Sequence, residues 1–216
     1  MRLNDDMSRS VIVHAARQDW VPSPAAGVDR RMLFRIGGEV ARATSIVRYA
    51  PGSAFPRHTH YGGEEVFVLD GVFQDEHGDY PAGSYFRNPP GTSHVPAARD
   101  GCTIFVRLCQ FRAADKAQIV RQPGSATVLF DDDHETVRLE DWPSGAIASV
   151  ENKRGLEFLV LSGSLTFDDE SLEPLTWGRL PPGTPLKATV SPQGARLWIK
   201  DAPLLLPDLC QLPEQD

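Results

Sequence analysis

The sequence predicts an all-β protein made of two tandem barrel or sandwich modules, and three observations carry that expectation. Glycine (18) and proline (18) are spread through all 216 residues rather than gathered in one linker. Between them lie short runs of β-branched and aromatic residues bounded by turn-formers, which is how strands read. A segment of the first half also recurs in the second at a fixed offset of 92: Glu64–Gly71 aligns with Leu156–Gly163, and Arg87–Thr92 with Arg179–Thr184, without a gap. Two matching blocks at one offset describe a repeated β-module of about one hundred residues.

Taken in order, Thr44–Tyr49, Val66–Leu69, Thr103–Leu108, Glu157–Leu161 and Arg196–Ile199 are the clearest strands. No long stretch has a 3.6-residue apolar period, and only a short helix is expected, around Ala113–Gln118. The modules are expected to span residues 1–112 and 113–216, with the boundary in the polar stretch between Gln110 and Gly124. The second module is expected to supply core and interface, covering sheet edges that the first would expose.

Composition excludes several functions. Hydrophobic residues make up 41% and charged residues 24%, values of an ordinary globular chain. The formal net charge of −7 argues against binding a phosphate backbone, so no nucleic-acid partner is expected. No apolar run reaches the roughly 18–20 residues of a membrane span, and MRLNDDMSRS has no apolar leader region. Cys102, Cys109 and Cys210 are too few for a disulfide framework and suit a reducing compartment. A soluble cytoplasmic protein without membrane partners is expected. The sequence shows no Ser/His/Asp order, P-loop or dinucleotide-binding glycine pattern, which sets aside hydrolase, NTPase and dehydrogenase classes.

The chemistry concentrates in the first half. His58 and His60 are two apart, so on a strand both imidazoles point to one face. His94 follows the turn Pro89-Pro90-Gly91, which can bring it in from an adjacent strand. Three neutral imidazoles and a carboxylate suit a divalent transition metal such as Zn, Fe, Mn, Ni or Cu(II), with positions left for water or substrate. His77 sits in a polar hairpin tip and His134 in an acidic turn, both read as solvated, and His14 has no evident partner. Cys102 and Cys109, seven apart, fall on opposite faces of a strand. Arg87 and Arg179 recur across the repeat and are read as structural.

Gly52, His58, His60, Glu64 and Gly71, followed by Gly83, Pro89, Gly91 and His94, reproduce the spacing GxxxxxHxHxxxExxxxxxG and GxxxxxPxGxxH. This resembles the two signature motifs of the cupin superfamily, whose fold is the double-stranded β-helix or jelly roll. One departure is Ala98, where the pattern has Asn. The stretch from about Leu33 to Phe111 is similar to ChrR-type cupins, with the second half matching as a degenerate copy, so the resemblance implies a bicupin. That group includes the cupin domain of a zinc anti-sigma factor and small dioxygenases that cleave β-diketones or hydroxylated aryl ketones. The resemblance implies His58, His60, Glu64 and His94 as metal ligands, with Zn or Fe(II) the leading ions and Mn or Ni the alternatives.

Glu64 and its neighbour Glu65 compete for the carboxylate position. Glu65 recurs as Glu157 in a half whose other equivalents, Val150, Asn152, Leu156 and Leu186, form no ligand set. A carboxylate kept where the histidines are gone reads as structural, and the seven-residue step from Glu64 to Gly71 fits the motif. Phe55, Tyr61, Phe67 and Tyr85 are the expected pocket residues; no catalytic residue is assigned beyond the ligands. The expected function is a metal-dependent dioxygenase acting on a small carbonyl-containing, diketone-like substrate. The alternative is a zinc-binding regulatory or stress-sensing cupin. Because no His/Cys zinc motif precedes the first barrel, direct sigma-factor binding is not expected, and homodimerisation is expected from the resemblance.

Overall fold

The structure is a computed structural model that describes residues 1–204 and 208–212. They form two compact β units. The first comprises Met1–Asp5, Asp19–Ser125 and residues 208–212; the second comprises Asp6–Gln18 and residues 126–204. The division therefore differs from a single cut at 112/113. Val11–His14 pairs with Thr176–Leu180 and so joins the second unit, whereas Ile119–Arg121 pairs with Tyr85–Asn88 and stays with the first. Both units are barrels of the jelly-roll type built from antiparallel strands.

In the first unit the main sheet runs Val28–Gly37, Ala41–Tyr49, Cys102–Leu108, Glu64–Asp75 and Tyr85–Asn88, with Arg2–Leu3 and Ile119–Arg121 at its ends. Three of these strands contain the runs read from the sequence, Thr44–Tyr49, Val66–Leu69 and Thr103–Leu108, whereas Val28–Gly37 and Tyr85–Asn88 are not among those runs. A second, two-stranded sheet pairs His58–Thr59 with Ser93–His94. The period-two alternation sends Val66 and Val68 into the barrel against Val28, Tyr49, Phe73, Phe86, Ile104 and Val106. Glu65 and Phe67 point the other way.

The second unit repeats this plan at the same offset. Leu156–Phe167 has the same twelve-residue length as Glu64–Asp75, and Leu159 faces Trp177 as Phe67 faces Tyr85. Leu69 and Leu161 are the extra residues of matching bulges. Gly71 and Gly163, at φ +69° and +68°, then let the chain pass a carbonyl: a Cβ would lie 2.3 Å from Gly101 O and 1.9 Å from Gly194 O. A side chain cannot fit there, which explains why both copies carry glycine.

The segment around Ala113–Gln118 is turn and coil instead of helix. Six residues are too few to sustain a helix without help, and Asp115 bonds the Ala117 N–H and the Arg87 guanidinium instead. The helical content of the described residues is the 3₁₀ turn Ala15–Arg17, and no helix among them is long and apolar enough to cross a membrane.

Candidate metal centre

His58, His60, Glu64 and His94 converge in the first unit, with one potential ligand atom from each lying within 4.8 Å of all the others. Local chain geometry does most of this work. His58 and His94 face each other across the short two-stranded sheet. The loop after His58 is held by main-chain bonds from His60 N–H to Thr92 O and from Gly91 N–H to His60 O, both 2.9 Å. Glu64 opens the long strand and faces inward with Val66. His60, Glu64 and His94 are buried, His58 partly so.

Each imidazole is oriented by its Nδ1. His58 Nδ1 lies 3.2 Å from the Pro56 carbonyl, and since a carbonyl only accepts, Nδ1 carries the proton. His60 Nδ1 meets Thr92 Oγ1 at 2.8 Å. The Thr92 hydroxyl spends its own proton on Pro89 O at 2.7 Å, so it accepts from His60. His94 Nδ1 lies 3.2 Å from Asp75 Oδ2. All three rings are thereby set as Nδ1–H tautomers with an Nε2 lone pair left to coordinate, the arrangement expected around a metal. Glu64 is steadied by Asn88 Nδ2 at 3.2 Å.

The centre itself supplies the test of fit. His60 Nε2 and His94 Nε2 are buried and form no hydrogen bond among the described residues. Each lies 3.4 Å from Glu64 Oε2. Buried nitrogens without partners are costly, and that spacing suits ligands each about 2.0–2.2 Å from a common ion. The three histidines and Glu64 therefore fit a divalent transition metal.

Charge follows the same geometry. Burial holds His60 below the ordinary histidine pKa, against the pull of Glu64. Burial would do the same to His94, but the Asp75 hydrogen bond and the charges of Glu64 and Asp75 outweigh it and make that ring more basic. Asp75 is held low despite its burial, by His94 and by the His77 N–H.

A cavity of about 400 Å³ reaches His58, His60 and Glu64. Its walls are apolar over Val28, Val47, Tyr49, Phe55, Ile104, Val106 and Leu108, and Arg30, Arg35 and Glu39 also line it. Of the expected pocket residues, Phe55 and Tyr61 line it; Phe55 packs edge-on to His58 with centroids 6.1 Å apart, and Tyr61 is exposed. Phe67 and Tyr85 are buried but do not line the cavity. They lie on the face opposite the ligands, where Tyr85 OH donates to Glu65 Oε1 at 2.6 Å.

Glu65 is likewise turned away from the ligands. It accepts from Arg107 at 2.6 Å and lies 3.6 Å from Arg87, which bonds Asp115 at 2.5 Å. Among the other histidines, His77 is exposed, whereas His14 has partners in Thr176 and Glu170, at 3.1 and 2.6 Å. Asp75, Thr92 and Asn88 touch the candidate ligands and were not assigned from the sequence. For Asp75 and Thr92 the signal was indirect: an imidazole that coordinates through Nε2 needs an acceptor at Nδ1.

Residues 8–112 match the family described as the ChrR Cupin-like domain. Solved structures match nearly the whole chain. A candidate dioxygenase from Nostoc punctiforme superposes with a TM-score of 0.70 at 15% identity, over 96% of this chain and 88% of that one. A cupin 2 conserved barrel domain protein from Leptotrichia buccalis does so with a TM-score of 0.58 at 10% identity, over 94% and 100%. The fold is that of the cupins. The bacterial pirin YhhW from Escherichia coli, in complex with nickel(II), shares this cupin architecture with a TM-score of 0.69 at 13% identity, over 91% and 100%. No curated protein matches the sequence.

The second unit has no comparable centre among its described residues. Val150, Leu156 and Leu186, which stand where His58, Glu64 and His94 stand, belong to its apolar core. Asn152, in place of His60, is buried and spends its side chain on the carbonyls of Leu180, Pro181 and Thr184 and on the Gly155 N–H.

Proposed function

We propose that this chain is a bicupin whose first barrel is a metal-dependent dioxygenase acting on a small carbonyl-containing, diketone-like substrate. The observation that carries this reading is a cluster of three pre-oriented imidazoles and Glu64, of which His58, His60 and Glu64 line a largely apolar cavity. When bound, a divalent ion supplies Lewis acidity toward a carbonyl oxygen and, if it is Fe(II), reactivity toward dioxygen. The residues of the chain do the remainder. Thr92, Asp75 and the Pro56 carbonyl fix the imidazole tautomers, Asn88 holds Glu64, and the Val47, Tyr49, Ile104 and Val106 wall excludes water from an apolar substrate. The bicupin reading rests on the shared strand length, bulge and glycine positions at the offset of 92.

A second reading, a zinc-binding regulatory cupin, is favoured by the match of residues 8–112 to the ChrR Cupin-like domain. One experiment separates them. Metal content is measured on protein purified without chelator, and oxygen uptake is followed after anaerobic Fe(II) loading with a panel of small diketones. Iron near one per chain with substrate-dependent uptake supports the oxygenase. Tightly held zinc and no uptake under any loading supports the regulatory reading. In either case His60→Ala should lose the metal and stay folded.

A further inference from the structure

The cavity contains a charged group that metal binding does not use. Arg35 is 4% exposed, yet lines the same cavity as His58, His60 and Glu64. A bulge puts it there. Val28 and Arg30 face the cavity as even-numbered residues, opposite Tyr49 and Val47; the register then slips between Met32 and Phe34. Beyond the slip Arg35 faces Ala43, and the inward face passes to odd numbers.

Among the described residues Arg35 has no carboxylate partner. Its Nη2 donates to the main-chain carbonyls of Gly38 and Glu39. The Glu39 carboxylate is already engaged by Arg30 through two bonds of 3.1 and 3.0 Å. Burial holds the Arg35 guanidinium below its ordinary pKa; Arg30 adds to that effect and Glu39 opposes it. A buried guanidinium satisfied only by neutral carbonyls is a site for an anion, and its planar fork favours a carboxylate.

We propose that Arg35 is a substrate-binding residue, and that the cavity takes a small apolar oxo-acid with its carboxylate on Arg35 and its body against Val47, Ile104 and Val106. This narrows the carbonyl-containing substrate class proposed above to one bearing a carboxylate. It rests on that reading for the carbonyl end alone.

The test reads binding rather than turnover. Calorimetric titration of zinc-loaded and metal-free protein compares levulinate and its longer oxo-acid homologues with the matching neutral methyl ketones. A charge-assisted bond at a dry site predicts that at least one oxo-acid binds about 10-fold or more tighter than its ketone. Arg35→Met should abolish that preference while ketone affinity stays, and Arg35→Lys should restore part of it. Equal binding of every acid and its ketone by the wild-type protein overturns the proposal, and does so even if both variants fail to fold. A preference that survives Arg35→Met also overturns it. A chain that keeps the acid preference yet consumes no oxygen loses the dioxygenase reading and retains this one.

Discussion

Thr92→Val isolates the contribution of one hydroxyl to the metal centre. Thr92 Oγ1 accepts from His60 Nδ1 at 2.8 Å and donates to Pro89 O at 2.7 Å, so it both sets the tautomer of His60 and ties that ring to the turn before His94. Valine keeps the shape and removes both bonds. The loop itself stays closed by main-chain bonds between His60, Gly91 and Thr92. The His60 Nδ1–H then lacks its acceptor, and the ring gains freedom to rotate or change tautomer. Loss of such an orienting partner costs about 10–100-fold in metal affinity, equivalent to about 1.4–2.7 kcal/mol. Stability of the metal-free protein should fall by about 1–3 kcal/mol from the lost hydrogen bonds. Competition against a fluorescent zinc chelator gives the first quantity and urea unfolding of the metal-free form the second. Thr92→Ser, which restores the hydroxyl, should sit near wild type in both. A Thr92→Val affinity within twofold of wild type, in a folded protein, would refute the tautomer argument.

Two further outcomes follow from the burial pattern. Glu65→Gln weakens the buried cluster of Arg87, Arg107 and Tyr85, and breaking a buried pair costs about 3–5 kcal/mol; melting should drop on the order of 10 °C with metal per chain unchanged, and a normal melting point with lost metal would move the ligand role to Glu65. Burial pushes the Cys102 thiol up to about 12, so it is protonated at about pH 8. Of the three free cysteines, fewer than three should react with a thiol reagent there before denaturant is added, and Cys102→Ser should leave the native count unaltered.

The legible parts of the centre were those set by local spacing. His58, His60 and Glu64 lie within seven residues, so strand and loop geometry alone converges them, and the Pro-Pro-Gly turn announces His94. Phe67 was also open to reading: it is an odd step from Glu64, and alternation puts it on the other face. Arg35 was not, because a bulge between Met32 and Phe34 reverses the parity of its strand and nothing local marks the slip. Asp75 and Thr92 meet their histidines only through tertiary pairing. The assignment of Val11–His14 to the second unit likewise depends on a partner, Thr176–Leu180, far along the chain.

The two barrels together say what the fold requires and what the metal adds. In the second, Gly183 N–H bonds Asn152 O at 2.8 Å, as Gly91 N–H bonds His60 O at 2.9 Å in the first. The same loop therefore closes with and without a ligand set. In the second barrel Asn152 reaches the carbonyls of Pro181 and Thr184 directly; in the first, His60 reaches Pro89 through Thr92. Val150, Leu156 and Leu186 then pack as core. Scaffold and ligands are thus separable, and the first barrel should fold before it binds. Chelation should leave the far-ultraviolet circular dichroism unchanged. It should lower the melting temperature by the binding linkage alone, about 2.7 kcal/mol where free metal stands at a hundred times Kd. Unfolding on chelation would show that the metal shapes the barrel, and would remove the argument that the Nδ1 acceptors pre-orient the site.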